Sequence, residues 1–374
     1  MLQLGSAIFS VGQLAGRRFC AVANKLVAAI FRATLCRMSD GTTGASKPLK
    51  MVTCGRCQSK TFISGDLAPF AVEECKKCGH PIMLPVMMRN FELRTIIASG
   101  GMGTVYTAHD TKLLREVALK MMKREMAADP EIMQAFYREA RAGASLNHTN
   151  IIHIYSFDEF EDQPYLVMEL ANNGSLDGRI EANGKVPELQ VLDVGIKMAS
   201  ALEAARKHNL LHRDIKPGNI LYNADGEPKL IDFGLVRAAE ADNTYEEHVW
   251  GTVYYVAPEK IERKGEDFHS DMYSLGGTLY HALTGHVPFE APTVDEVVAA
   301  HVHTPLTPPN HVAPEVTQAT SEALARAMAK NPSDRFATYD EMQMVLEVAR
   351  SQLLVQQVRE TAQQPPSTKS WWKR

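Results

Sequence analysis

His212-Arg213-Asp214-Ile215-Lys216-Pro217-Gly218-Asn219, followed after a short apolar and turn stretch by Asp232-Phe233-Gly234, decides the reading of this chain. Moving a γ-phosphoryl group needs a carboxylate to orient the incoming hydroxyl, oxygen ligands for magnesium, and a cation to offset charge on the phosphates. Asp214 suits the first role, Asn219 with Asp232 the second, and Lys216 the third.

Upstream, Ile97-Ala98-Ser99-Gly100-Gly101-Met102-Gly103-Thr104-Val105-Tyr106 falls between two predicted strands. A hairpin there could lie over nucleotide phosphates, because backbone amides approach phosphate closely only where side chains are absent. Glycine hairpins are common, so this run gains its weight from the acids downstream. Alternating or β-branched runs predict strands at 91–97, 104–108, 116–121, 151–157 and 165–169, with one helix at 131–146. After residue 175 the apolar period turns helical, at 188–208, 270–284, 293–301, 318–329 and 339–357.

A chain of 374 residues with a 45% hydrophobic share fits one large globular domain with appendages. Its formal net charge of -4 argues against a protein built mainly to coat nucleic acid. Six cysteines are too few for a disulfide-dense secreted scaffold, so a reducing cytoplasm is the expected compartment. No apolar stretch long enough to span a bilayer follows the N-terminal segment, and the body of the chain reads as soluble.

Four cysteines form two pairs, Cys54-Gly55-Arg56-Cys57 and Cys75-Lys76-Lys77-Cys78-Gly79-His80. Two such knuckles at this separation can close a tetrahedral thiolate site around zinc, with glycine letting the backbone fold over the metal. Such a site has no open position for chemistry, so its expected role is structural. Lys60, Lys76 and Lys77 make this unit mildly basic. A solvated face is the simpler account of that charge than nucleic-acid or protein contact.

Residues 1–46 hold Arg17, Arg18, Lys25, Arg32 and Arg37 but no acid before Asp40, and the positive charges follow the apolar stretch, the wrong order for a secretory signal. The expectation is a basic, disordered leader, with translation starting at Met38 as the favoured reading; an amphipathic membrane-surface segment or a transit-like peptide is the alternative. Residues 351–374 complete the last helix and a disordered tail, whose Trp371-Trp372-Lys373-Arg374 could touch a membrane interface weakly.

Together these residues resemble the eukaryotic-type (Hanks-type) serine/threonine protein kinases, and in wording most resemble the bacterial members. The resemblance implies an α+β, two-lobed fold over residues 89–350, with a small lobe of five strands and one helix (89–170) and a mainly helical large lobe (171–350), preceded by a zinc ribbon at 47–88. It implies ATP and magnesium as cofactors and protein Ser/Thr hydroxyls as acceptors, since Lys216 two residues after the acid matches that branch. In Val117-Ala118-Leu119-Lys120, Lys120 matches the strand lysine that contacts the phosphates, and Glu139 the helix glutamate that pairs with it. Val105 and Ala118 would line the adenine site; the carbonyl of Glu169 and the amide of Ala171 would bond the adenine edge.

Two positions depart from the family pattern. Gly100 and Gly103 match its second and third loop glycines, but Ala98 stands in the first place. Gly143, one turn beyond Glu139, replaces a bulky apolar residue; a helix glycine costs about 1 kcal/mol against alanine, and the expectation is an easily displaced helix with nothing to pack there. Thr244 is a candidate autophosphorylation site whose phosphate could pair with Arg213, although Glu240, Asp242, Glu246 and Glu247 crowd it. Asp271 is expected to hold the catalytic-loop backbone, and Arg335 to pair with Glu259. The alternative reading is a nucleotide-binding scaffold without transfer activity, whose ribbon binds protein or nucleic acid.

Overall fold

Two short hairpins come first among the described residues: β1 (Lys50–Thr53) with β2 (Lys60–Ile63), and β3 (Val72–Glu74) with β4 (Pro81–Met83). Each Cys-x-x-Cys pair follows the first strand of its hairpin. Val52, Ile63, Ile82 and Leu84 bury themselves against Cys54 and Cys75, so that this small core is built on the thiols. The computed structural model describes residues 49–101, 103–232 and 253–363; of Ala135, Arg138, Glu139 and residues 360–363 only the backbone is described. The leader with Met38, Phe233 and Gly234, the segment with Thr244, and the tail from 364 lie outside the described residues. Met51–Ile63 and the described residues from Leu67 onward belong to one compact unit.

Strands β5 (Val86–Met88), β6 (Phe91–Ser99), β7 (Gly103–Asp110), β8 (Arg115–Met122), β9 (Ile154–Phe160) and β10 (Gln163–Met168) form one antiparallel sheet in the order β5-β6-β7-β8-β10-β9. The expected five strands are therefore six. The extra one, β5, is three residues long, too short to show a period, and it lies on the ribbon side of the boundary read from the sequence.

Helix α1 (Pro130–Ser145) starts where Asp129 accepts hydrogen bonds from the amides of Glu131 and Ile132, with Pro130 pre-set for the first turn. Its Phe136 and Ala140 pack on Leu166 and Met122 of the sheet. Gly143 corrects the expectation of an empty place: a Cβ there would come within 2.5 Å of Ile154 Cδ1. The isoleucine of β9 already fills the space, and glycine permits its approach.

The second lobe contains α2 (Leu176–Asn183), α3 (Glu188–Lys207), the hairpin β11 (Ile220–Tyr222) and β12 (Pro228–Leu230), α4 (Phe268–Thr284), α5 (Val294–His303), α6 (Gln318–Ala327) and α7 (Tyr339–Gln363). The short α2, absent from the predicted helices, is capped by the Ser175 hydroxyl on the Gly178 amide. Leu192 of α3, Leu279 of α4 and Leu346 of α7 are each at most 1% exposed in the shared core. Burial of each contributes about 1.5–3 kcal/mol. Among the described residues, no helix is long and apolar enough to cross a membrane.

Candidate active site

The catalytic loop is assembled by a short helical turn, Pro217–Asn219, which brings Asn219 back over Asp214. Asn219 Nδ2 donates to the Asp214 carbonyl at 2.7 Å and to Oδ2 at 2.9 Å. Lys216 Nζ stands 2.8 Å from the same Oδ2. Burial works to raise the Asp214 pKa, but the charge and hydrogen bond of Lys216, with the Asn219 amide, hold it below the usual carboxylate range. Asp214 is thus an ionised, oriented carboxylate at neutral pH.

Asp232 reaches this loop through the β11–β12 hairpin. Ile220 pairs with Leu230, and the Ile231 amide donates to the Asn219 carbonyl at 3.0 Å, so the residues flanking the two strands are brought side by side. With Nδ2 spent on Asp214, the Asn219 side chain has its carbonyl oxygen to offer a metal. Asp232 has φ 58, a left-handed conformation uncommon for a residue with a side chain and one that clusters at functional sites. Its Oδ1 lies 2.7 Å from Lys120 Nζ. That is the ion pair of Lys120 among the described side chains; Glu139 lies on α1, and its side chain is outside them.

Strand register brings together the residues expected to face the nucleotide. Ala98 pairs with Val105, Val105 with Lys120, and Ala118 with Met168. Paired residues share a face and residues two apart on a strand do too, so Ala98, Val105, Ala118 and Lys120 lie on one side of the sheet. The hairpin closes with the Gly100 amide donating to the Gly103 carbonyl at 2.9 Å. A Cβ on Gly103 would collide with the Met121 carbonyl, whereas Cβ atoms on Gly100 and Gly101 would meet nothing within 4 Å. Gly103 is glycine because the neighbouring strand is close; the other two leave open space at the tip.

Glu169 follows β10 directly, and its amide donates to the His153 carbonyl at 2.8 Å. Its carboxylate pairs with Lys229 at 2.6 Å, a contact the sequence reading missed. Ala171 lies two residues on in the connection between the lobes.

Two buried anchors hold the loops. Asp271 of α4 accepts from the amides of His212 at 2.7 Å and Arg213 at 2.8 Å, as the resemblance implied. Arg335 grips Glu259 with two bonds of 2.7 Å, and Ser270 adds a third to that carboxylate at 2.7 Å. Burial raises the Glu259 pKa, and Arg335 overrides it and holds it low.

The four thiols converge. Cys54 and Cys78 sulfurs are 3.7 Å apart, as are those of Cys57 and Cys75, and all four lie within 4.8 Å of one another. A disulfide needs about 2.05 Å. The edge of a tetrahedron with zinc–sulfur bonds of about 2.3 Å is about 3.8 Å, so the donor set and its spacing fit zinc. Ser59, a residue the sequence reading passed over, bonds the Cys57 sulfur at 3.0 Å and the Cys75 sulfur at 3.4 Å. That hydroxyl and the Lys77 amide lower the Cys75 pKa to about 5. Cys78 is pushed up to about 12, against the pull of the His80 amide, by burial and the neighbouring thiols.

Comparison with known proteins adds an independent line. The protein kinase domain family matches residues 91–360. A probable serine/threonine-protein kinase of Clostridium perfringens is 33% identical over 258 residues, covering 69% of this chain and 38% of that protein. The serine/threonine-protein kinase PknE of Mycobacterium bovis is 35% identical over 249 residues, covering 66% of this chain and 44% of its own length. The chain spans less than half the length of these curated relatives. In fold, it is similar to the crystal structure of the C20A mutant of the Mycobacterium tuberculosis PknI kinase domain, with TM-score 0.56 and 24% identity, covering 72% of this chain and 98% of that one.

Proposed function

The chain belongs to the protein kinase domain family, and on that premise we propose that it transfers the γ-phosphoryl group of ATP to serine or threonine hydroxyls of proteins. The observation that carries the proposal is the clamp on Asp214, with Asn219 and Lys216 both on Oδ2 at 2.9 and 2.8 Å. A carboxylate held in one orientation and kept ionised can align an alcohol and accept its proton. Lys216, already beside it, offsets charge as the phosphoryl group moves.

Asn219 and Asp232 would hold magnesium, which supplies charge neutralisation at the phosphates. Lys120 serves the phosphates from the strand side, and the Gly100–Gly103 turn presents backbone to them. The serine/threonine assignment is supported by Lys216 two residues after the acid and by the names of the curated relatives. Glu169 and Ala171 remain the proposed adenine contacts, Thr244 the proposed autophosphorylation site, and Cys54, Cys57, Cys75 and Cys78 the ligands of a structural zinc.

Incubation with ATP, magnesium and a generic basic protein tests the reading, with Asp214→Ala as the blank. Phosphoserine or phosphothreonine formed only by the native chain supports it; nucleotide binding without transfer by either supports a scaffold.

A further inference from the structure

The glycine hairpin is gripped by the cysteine unit at one rung. His80 Nε2 lies 2.7 Å from the Ile96 carbonyl of β6, and since a carbonyl only accepts, the imidazole donates. Ile96 pairs with Tyr106 of β7, and the Phe70 ring meets the Tyr106 ring edge-on at a centroid distance of 6.5 Å. Both strands of the hairpin are therefore held at the Ile96–Tyr106 rung. The pairs Ala98–Val105 and Ser99–Thr104 follow, and then the turn.

The β6 register shifts between Ile96 and Ala98. Such a break leaves ladder groups without their strand partner and bends the strand, and the Ile96 carbonyl at the break is the one His80 takes.

His80 also belongs to the second knuckle. Its carbonyl accepts from the Cys75 amide at 2.9 Å, and its amide donates to the Cys78 sulfur. The first knuckle presses on the same spot, since a Cβ on Gly55 would lie 2.9 Å from the Ile96 carbonyl. The backbone of His80 is thus fixed by two of the four sulfur-bearing residues, and its ring by the strand that carries the glycine turn.

We propose that His80 is a positioning residue for nucleotide binding, through which the metal-filled cysteine site holds the glycine hairpin in place. This rests on reading that hairpin as the phosphate cradle. Losing the metal loosens the knuckle, which releases the ring from Ile96 and lets the hairpin tip move, so affinity for nucleotide falls while the Asp214 loop is untouched. A merely fused domain would share packing with the sheet but would not make nucleotide affinity depend on this ring.

The test uses the full chain, zinc-loaded, with a fluorescent adenine nucleotide as the probe and zinc content measured in parallel. His80→Ala is expected to retain zinc and to weaken nucleotide binding by about two- to tenfold, the range for one hydrogen bond, with kcat changed less than KM for ATP. His80→Gln, which keeps a donor, restores much of the affinity. Chelation weakens binding to the native chain by a similar factor but has little further effect on His80→Ala, because the two act through one link.

If His80→Ala does not fold, Gly55→Ala carries the test. Its added methyl pushes the knuckle from Ile96 and should weaken nucleotide binding without loss of zinc. Native-like affinity in a zinc-loaded variant, or chelation acting equally on native chain and His80→Ala, overturns the proposal. A native chain that binds no nucleotide overturns instead the reading of the site on which it rests.

Discussion

Lys120 of β8 and Asp232, just after β12, meet at 2.7 Å in an ion pair between the two lobes. Lys120 is largely buried, with its side chain 12% exposed, while Asp232 is 38% exposed. On the proposed function, this cation and acid would serve the triphosphate and its magnesium. Lys120→Met is expected to lower kcat/KM by about a hundredfold or more, as loss of a charge aimed at the transition state does, with a small change in melting temperature because the acid is partly solvated. Steady-state kinetics beside a thermal melt check this; near-native turnover would remove Lys120 from the site.

On the proposed function, Asp214 is expected to set the acid side of the pH profile. Its folded pKa lies below the ordinary value, so the active carboxylate persists as pH falls until that lowered value is crossed. Lys216→Met removes the largest of the lowering influences and leaves the Asn219 hydrogen bond and the His212 charge to oppose burial. The acid limb of kcat/KM should then move to higher pH, as well as the rate falling. A pH–rate profile in which the rate falls but the limb stays put would separate Lys216 from Asp214.

The Arg335–Glu259 pair, with side chains 0% and 7% exposed, is a stability element outside the chemistry. Leaving one member of a buried pair alone costs about 3–5 kcal/mol, and Arg335→Met should show this in denaturant unfolding at neutral pH. Because Glu259 has a depressed pKa in the fold, the pair stabilises fully above the unfolded carboxylate range and loses its contribution as pH falls through the folded value. The gap between variant and native chain should therefore narrow in acid. A gap that is constant with pH would mean Arg335 acts by packing alone.

The glycine turn offers an internal contrast. Gly103→Ala forces a methyl into the Met121 carbonyl, and Gly101→Ala meets only open space. The first should lower the melting temperature and nucleotide affinity together. The second should leave the melting temperature unchanged. Equal melting temperatures for both would show that β7 and β8 can part at little cost.

The sequence carried much of this arrangement because its signals were local. The spacing from Asp214 to Asn219 and on to Asp232 is fixed by one turn and one hairpin. The long helices of the second lobe announce themselves by period, so α3 begins at the predicted Glu188 and ends one residue early at Lys207. What sequence reasoning missed depends on contacts distant in the chain. Ile154 filling the place of Gly143, Lys229 reaching Glu169 and Ser59 bridging two thiols have no local pattern. His80 did have one: a histidine directly after Cys75-Lys76-Lys77-Cys78-Gly79 stands where a knuckle can aim a ring outward. Its partner, the Ile96 carbonyl, required the fold.

The account stands on the carboxylate of Asp214 aligning a protein hydroxyl against the terminal phosphate of ATP. The most direct measurement is site-resolved mass spectrometry of a protein substrate after incubation with ATP, magnesium and either the native chain or Asp214→Ala, both shown to bind nucleotide equally. Phosphate on serine or threonine with the native chain, and a loss of about a thousandfold or more in rate with the variant, is the result expected. Equal transfer by both, or none by a native chain with nucleotide bound, would contradict it.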